Sequence, residues 1–180
     1  MRTRFIIIIG TLFLFAFSSK TNIDWTIVPG SGFDSIQIGH STISDIQKIL
    51  GEGNVKSTTW YYDCVKPNGK KKHKVKTLEY DSLGLTFNFE DEKIKNSKLK
   101  SIKFKPKRNW QTSNNLTINK STRKDVYDAL GNPNYEHNCV GFLTFENEGI
   151  SFLFKCNEKF KDNINDTIIE ILVEPKRQQK

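Results

Sequence analysis

The chain has no Cys-x-x-Cys pair, no Gly-x-Ser-x-Gly, no His-Glu-x-x-His and no glycine-rich phosphate or dinucleotide loop. The usual signatures of thiol redox centres, serine hydrolases, zinc proteases and nucleotide enzymes are therefore missing. Cysteine is scarce (Cys64, Cys139 and Cys156), and His40, His73 and His137 stand at no zinc-like spacing from the cysteines. Cys139 and His137 are two positions apart, but no third group is placed to orient them as a nucleophile–base pair. No recognised nucleic-acid motif is present. These absences lead to the expectation of a protein that is not an enzyme, uses no cofactor and binds no metal or nucleic acid.

What is present is enough for a modest core. The 180 residues make one domain or two small ones, with 36% hydrophobic residues and 13 Phe. The formal net charge is +8. The chain opens Met1-Arg2-Thr3-Arg4, then runs uncharged and almost wholly apolar from Phe5 to Phe17, and exits through Ser18-Ser19-Lys20. That run is too short, as a helix, for the roughly 30 Å bilayer core. A basic start, a short apolar run and small residues at its end read as a secretory signal over residues 1–18, with cleavage after Ser18 or Ser19; the alternative is an uncleaved anchor. No second stretch is long enough to span a membrane. No cysteine stands near the signal's exit, which leaves lipid attachment there unsupported. The expected location is periplasmic or extracellular, with peripheral attachment to the membrane left open as an alternative.

Export to an oxidising compartment favours a disulfide. Cys139 and Cys156 flank a hairpin pattern, Gly141 to Phe154, at nearly equal distances from a turn near Asn147-Glu148. They are the expected pair, with Cys64 left over; the alternative is three buried thiols.

The most informative feature is an internal repeat. Ile36 to Gly51 aligns with Leu116 to Gly131 at an offset of 80, and Ile38, Ser41, Thr42, Asp45, Leu50 and Gly51 recur identically. Downstream, Gly84-Leu-Thr-Phe-Asn-Phe89 aligns with Gly149-Ile-Ser-Phe-Leu-Phe154, and Ile102-x-Phe104-x-Pro106 with Ile171-x-Val173-x-Pro175. The changed offset places extra residues in the first copy, around the lysine-rich stretch.

Thr42 with Asp45 and Thr122 with Asp125 have N-cap and N3 spacing, followed by helical apolar spacing and then Gly51 or Gly131 as a left-handed stop. Beyond each helix the apolar period becomes two, as expected of antiparallel strands with one apolar face. The expected fold is α+β: two tandem repeats, each a short helical layer packed on a three-stranded antiparallel sheet. The units are an extension at 19–35, repeat 1 at 36–106 with a basic insertion at 66–76, a polar linker at 107–115, repeat 2 at 116–175, and a basic tail at 176–180.

The run Ile-x-Gly-x-Ser-Thr-x-x-Asp-Ile-x-x-Ile-Leu-Gly, followed by a hairpin with Gly-[Leu/Ile]-x-Phe-x-Phe, resembles the SmpA/OmlA (BamE-like) superfamily. The tandem arrangement is similar to the β-lactamase-inhibitor-protein architecture. The resemblance covers 36–106 and 116–175. It implies a short helical layer on an antiparallel sheet, export, and action by binding other envelope proteins. The chain departs from lipoprotein members in lacking the lipid-attachment cysteine. No interface residue carries over, because such folds bind different partners through different surfaces.

Two segments are candidate binding elements. Lys66 to Lys76 holds six lysines, including Lys70, Lys71, Lys72, Lys74 and Lys76, around a Pro-Asn-Gly turn. Such a loop suits an acidic partner or an anionic membrane surface, or serves only as a solvated loop. Trp60 and Tyr61 lie beside it as possible anchors, with core packing the alternative. The expected function is an exported, non-enzymatic protein-binding module, an assembly or inhibitor-type scaffold. The alternative is a peripheral envelope protein that binds anionic lipid or lipopolysaccharide through the lysine loop.

Overall fold

A computed structural model describes residues 23–62, 71–89, 97–137, 141–155 and 165–177. Both Thr-x-x-Asp segments start helices: α1 (Ile43–Leu50) and α2 (Arg123–Leu130). In α1 the Asp45 amide donates to Thr42 Oγ1 at 3.3 Å, and the Thr42 amide donates to Asp45 Oδ2 at 3.0 Å. In α2 the corresponding distances for Thr122 and Asp125 are 3.3 and 2.7 Å. Asp thus closes both halves of a capping box in which Glu or Gln is commoner, satisfying two amides at each helix start. Gly51 (φ 84°, ψ −170°) and Gly131 (φ 75°, ψ −147°) end the helices. Their φ is positive as expected, but ψ is extended rather than left-handed helical, a region essentially reserved for glycine.

The strands form two sheets among the described residues. A small four-stranded sheet contains β1 (Thr26–Val28), β2 (Gly32–Phe33), β3 (Ile36–Gln37) and β8 (Gln111–Thr112), in the order β3-β2-β1-β8. The large sheet has eight strands: β4 (Asn54–Tyr62), β5 (Lys71–Tyr80), β6 (Leu85–Phe89), β7 (Leu99–Phe104), β9 (Tyr135–His137), β10 (Phe142–Phe145), β11 (Ile150–Phe154) and β12 (Ile168–Val173). Its order is β4-β5-β6-β7-β12-β11-β10-β9, antiparallel throughout.

This arrangement overturns the α+β expectation of two tandem repeats, each a short helical layer on its own antiparallel sheet. Among the described residues the protein is mostly β, with two sheets and two short helices. Two physical reasons account for the difference. Separate units would leave β7 and β12 as edges with unpaired amides and carbonyls. Pairing Phe104 with Ile171 and Ile102 with Val173 satisfies those edges and continues one apolar face across the join. Two helices of eight residues, each about 12 Å long, also cannot cover eight strands spaced about 4.8 Å apart. The small sheet covers much of the remainder.

The aligned segments nevertheless share local geometry. Leu85↔Phe104 and Phe87↔Ile102 correspond to Ile150↔Val173 and Phe152↔Ile171, with register shifts at Asn88/Phe89 and Leu153/Phe154. Ahead of each helix, the Gln37 and Thr117 amides donate to Ser41 and Ser121 Oγ, at 2.9 and 3.0 Å. The Gly39 amide donates to Leu99 O and the Asn119 amide to Ile168 O, tying each helix entry to a central strand.

One core lies on a single face of the large sheet. Leu78, Phe87, Phe89, Ile102, Phe104, Phe152, Phe154, Ile171 and Val173 project there, against Ile46 of α1, Val126 of α2 and Ile27, Phe33 and Ile36 of the small sheet. Phe33 packs on Phe87 and Phe104 at ring-centroid distances of 6.3 and 5.7 Å. The segment expected as a polar linker carries β8 and Trp110, which is 1% exposed and packs edge-on against Phe104. Its polar neighbours in sequence hide a core residue.

Candidate binding face

Side chains alternate across a strand, so register assigns every second residue of the large sheet to the face opposite the core. Those residues are Lys56, Thr77 and Glu79 on β4 and β5, Thr86 and Asn88 on β6, and Ser101 and Lys103 on β7. On the other half they are Glu170 and Leu172 on β12, Ser151 and Leu153 on β11, and Phe142 and Thr144 on β10. No helix or strand among the described residues lies over this face.

Its polar groups are matched to one another. Lys103 Nζ lies 3.2 Å from Glu170 Oε1 across the central β7–β12 join. Lys56 pairs with Glu79, whose carboxylate holds the Lys56 ammonium above the usual lysine value. Asn88 Nδ2 donates to Ser101 Oγ at 2.9 Å, and Ser151 Oγ donates to Thr144 Oγ1 at 3.3 Å. The result is a fixed array of short hydroxyls and two cross-strand ion pairs, with half-buried Phe142, Leu153 and Leu172 toward one end. Such a surface is chemically suited to recognition. Ser101 and Ser151 are themselves buried, so the groups this face presents are the two ion pairs and the half-buried Thr86, Asn88 and Thr144.

A cleft of about 430 Å³ opens where β9, β10, β11 and Lys100 of β7 meet the 146–149 turn and residues 174–177. Tyr135, Thr144, Ser151, Lys100, Glu174 and Arg177 contribute to its wall. Tyr135 is one of the few exposed large apolar side chains. Arg177 Nη1 pairs with Glu146, and the Arg177 amide donates to Glu146 O at 3.0 Å, so the end of the described chain is pinned to the β10–β11 turn. Lys176 lies 3.8 Å from Glu148 on the same turn.

The sequence candidates fall elsewhere. Lys70 and all three cysteines, including the expected Cys139–Cys156 pair, lie outside the described residues. Lys71, Lys72, Lys74 and Lys76 are on β5, in register with Tyr62, Tyr61, Thr59 and Ser57 of β4, while Trp60 is in register with His73. Lys76 is half-buried and also pairs with Phe89. The structure therefore gathers Trp60, Tyr61 and the β5 lysines into one hairpin and separates that hairpin from the cleft. The His40 carbonyl accepts from Lys98 Nζ at 2.8 Å.

Sequence reasoning missed the cleft and the central Lys103–Glu170 pair. A signal for the cleft was available: Pro106-Lys107-Arg108 recurs as Pro175-Lys176-Arg177. The first arginine stacks over Trp25, its guanidinium carbon 4.1 Å from the ring centroid, whereas the second reaches Glu146. The Lys103–Glu170 pair carries no local signal, because it depends on which strands meet at the join.

No protein-family model matches the chain, and neither a curated protein nor a solved structure is significantly similar to it.

Proposed function

We propose that the protein is an exported, non-enzymatic binding module that meets another envelope or extracellular protein on the uncovered face of its large sheet. The observation that carries this reading is the asymmetry of that sheet. One face holds the whole core, and the other presents ordered polar pairs beside a cleft rimmed by Tyr135, with no described element above it. Rigidity favours binding, because groups already held in place lose little freedom on association. The leader-like start and the resemblance to envelope-binding SmpA/OmlA proteins agree with this reading. The role is that of an assembly or inhibitor-type scaffold.

Site-specific photocrosslinking tests it. A photoreactive side chain replacing Thr86 or Thr144 on the uncovered face is expected to capture a discrete protein partner in the native envelope or culture fluid. The same group replacing Lys124, on the exposed side of α2, is expected to capture none. Equal capture from both surfaces, or capture from Lys124 alone, would remove the proposal.

A further inference from the structure

The cleft has a shape that selects what can lie in it. Thr144 and Ser151 form its floor, with their hydroxyls bonded to each other at 3.3 Å. Both belong by register to the uncovered face, so the cleft continues that face. Tyr135 of β9 stands at one end and Lys100 of β7 at the other. In the sheet order those two strands are four spacings apart, about 19 Å. Along one side the chain leaves β12 at Glu174 and crosses to β10, where the Arg177 amide donates to Glu146 O at 3.0 Å. Residues 174–177 thus make a wall across the strand ends. A volume of about 430 Å³ spread over that length leaves a trough narrower than the 10–12 Å of a helix. One extended chain fits, and about six residues of it would reach from end to end.

The charged groups of the trough divide into two sets. Arg177 is paired with Glu146, and Lys176 lies 3.8 Å from Glu148, so the wall's own cations are neutralised by the turn beneath it. Lys100 and Glu174 differ: among the described residues neither side chain makes a hydrogen bond or an ion pair, with the other or with any neighbour. Lys100 is exposed and Glu174 half-buried. Glu174 follows β12, the strand next to β7, so an unused cation and an unused anion mark the same end. At the opposite end the Tyr135 side chain is 56% exposed. Tyrosine is among the side chains that anchor protein interfaces, since its ring buries apolar area while its hydroxyl stays solvated.

We propose that this trough holds an extended segment of the partner protein, about six residues long. An apolar or aromatic side chain of that segment lies against Tyr135, and an acidic and a basic side chain at its other end meet Lys100 and Glu174. A peptide supplies both signs of charge at one end, whereas a neutral or acidic glycan would leave Glu174 without a cation. This assignment rests on the reading of the uncovered face as a protein-binding surface, and the two can fail separately.

The test begins with displayed random peptides of about eight residues, panned on the full mature chain. Enriched peptides are expected to share a large apolar or aromatic residue and, about five positions away, Asp or Glu. For one such synthetic peptide, Tyr135→Ala and Lys100→Gln should each weaken binding about tenfold, while Lys124→Gln, on the far side of α2, should leave it unchanged. The Lys100→Glu protein should regain affinity for the peptide whose acidic residue is exchanged for Lys, a recovery that a misfolded variant could not give. No enriched peptide, peptides indifferent to both substitutions, a charge exchange without recovery, or a glycan that binds through Tyr135 when no peptide does would each overturn the proposal. If partner capture at Thr86 persists in the Tyr135→Ala, Lys100→Glu protein and no peptide binds the wild type, the trough assignment falls and protein binding on the uncovered face stands.

Discussion

Arg123 and Glu136 join the second helix to the edge of the large sheet. Arg123 Nη1 donates to Glu136 Oε1 at 2.8 Å, with the arginine side chain 3% exposed and the glutamate 35%. The guanidinium also lies over Phe154, 4.9 Å from its centroid. The pair therefore fixes α2 over β9 and the core-facing ring of β11.

Replacing Glu136 by Ala removes one partner of that buried cation and is expected to destabilise the protein by about 2 kcal/mol, the loss of a hydrogen bond between charged groups. The double variant Arg123→Met, Glu136→Ala is expected to recover part of the loss, since an apolar side chain of similar length can fill the site. Urea unfolding midpoints of the three proteins check both statements. A double variant no more stable than Glu136→Ala would show that the charge itself is not the cost.

The capping boxes make stability fall in acid. Asp45 is held below its usual pKa first by the Thr42 hydroxyl and then by the Thr42 amide; for Asp125 the Thr122 amide comes first and the hydroxyl second. A carboxylate with a depressed folded-state pKa contributes stability that is present above the unfolded value of 3.8. That contribution disappears as pH falls through the lower folded-state value. Asp45→Asn and Asp125→Asn should each cost about 1 kcal/mol at neutral pH. The gap from wild type should narrow as unfolding is repeated below the ordinary Asp pKa. A gap independent of pH would assign the loss to something other than carboxylate ionisation.

Gly32 is expected to tolerate no side chain. Its φ is 138°, and a Cβ there would come within 2.1 Å of the Ile36 carbonyl oxygen. Gly32→Ala should therefore cost about 3 kcal/mol or more, through strain and the displaced β2–β3 pairing. Gly39, at φ 78° with open space around its would-be Cβ, provides the contrast. Gly39→Ala should cost only about 1–2 kcal/mol, the ordinary price of positive φ. Thermal unfolding of the two variants decides it, and equal losses would contradict the steric argument.

Cys139 and Cys156 are expected to be joined in protein recovered from an oxidising compartment. Closing a loop of that length contributes about 3 kcal/mol. Non-reducing peptide mapping should return one cross-linked pair and a free Cys64. Cys139→Ser should lower the melting temperature, and reductant should do the same to wild type. A Cys64-containing bridge would refute the assignment.

Local order was readable in the chain. Thr42–Asp45 and Thr122–Asp125 announced both helices, and period-two spacing announced Leu85–Phe89, Ile150–Phe154 and their partners. The assembly of these pieces was not readable. Alternation shows that Ile102 and Ile171 face a core, but not that their strands lie side by side, since any two apolar edges could meet. The small sheet escaped because strands of two or three residues are too short to display a period. Trp110 escaped because burial was inferred from neighbours, and its neighbours are polar. The cleft draws on four strands and a turn, a combination that exists only after folding.

The pairing of β1 with β8 is parallel, with Ile27 set against Thr112, and the large sheet closes only when β12 reaches β7. Both ends of the molecule thus wait on distant segments. A chain emerging stepwise from a ribosome or a translocation pore cannot finish its amino-terminal layer early. The small layer can be completed once Thr112 is free and the large one only once Val173 is, and until then the Phe-rich strands need shelter from one another.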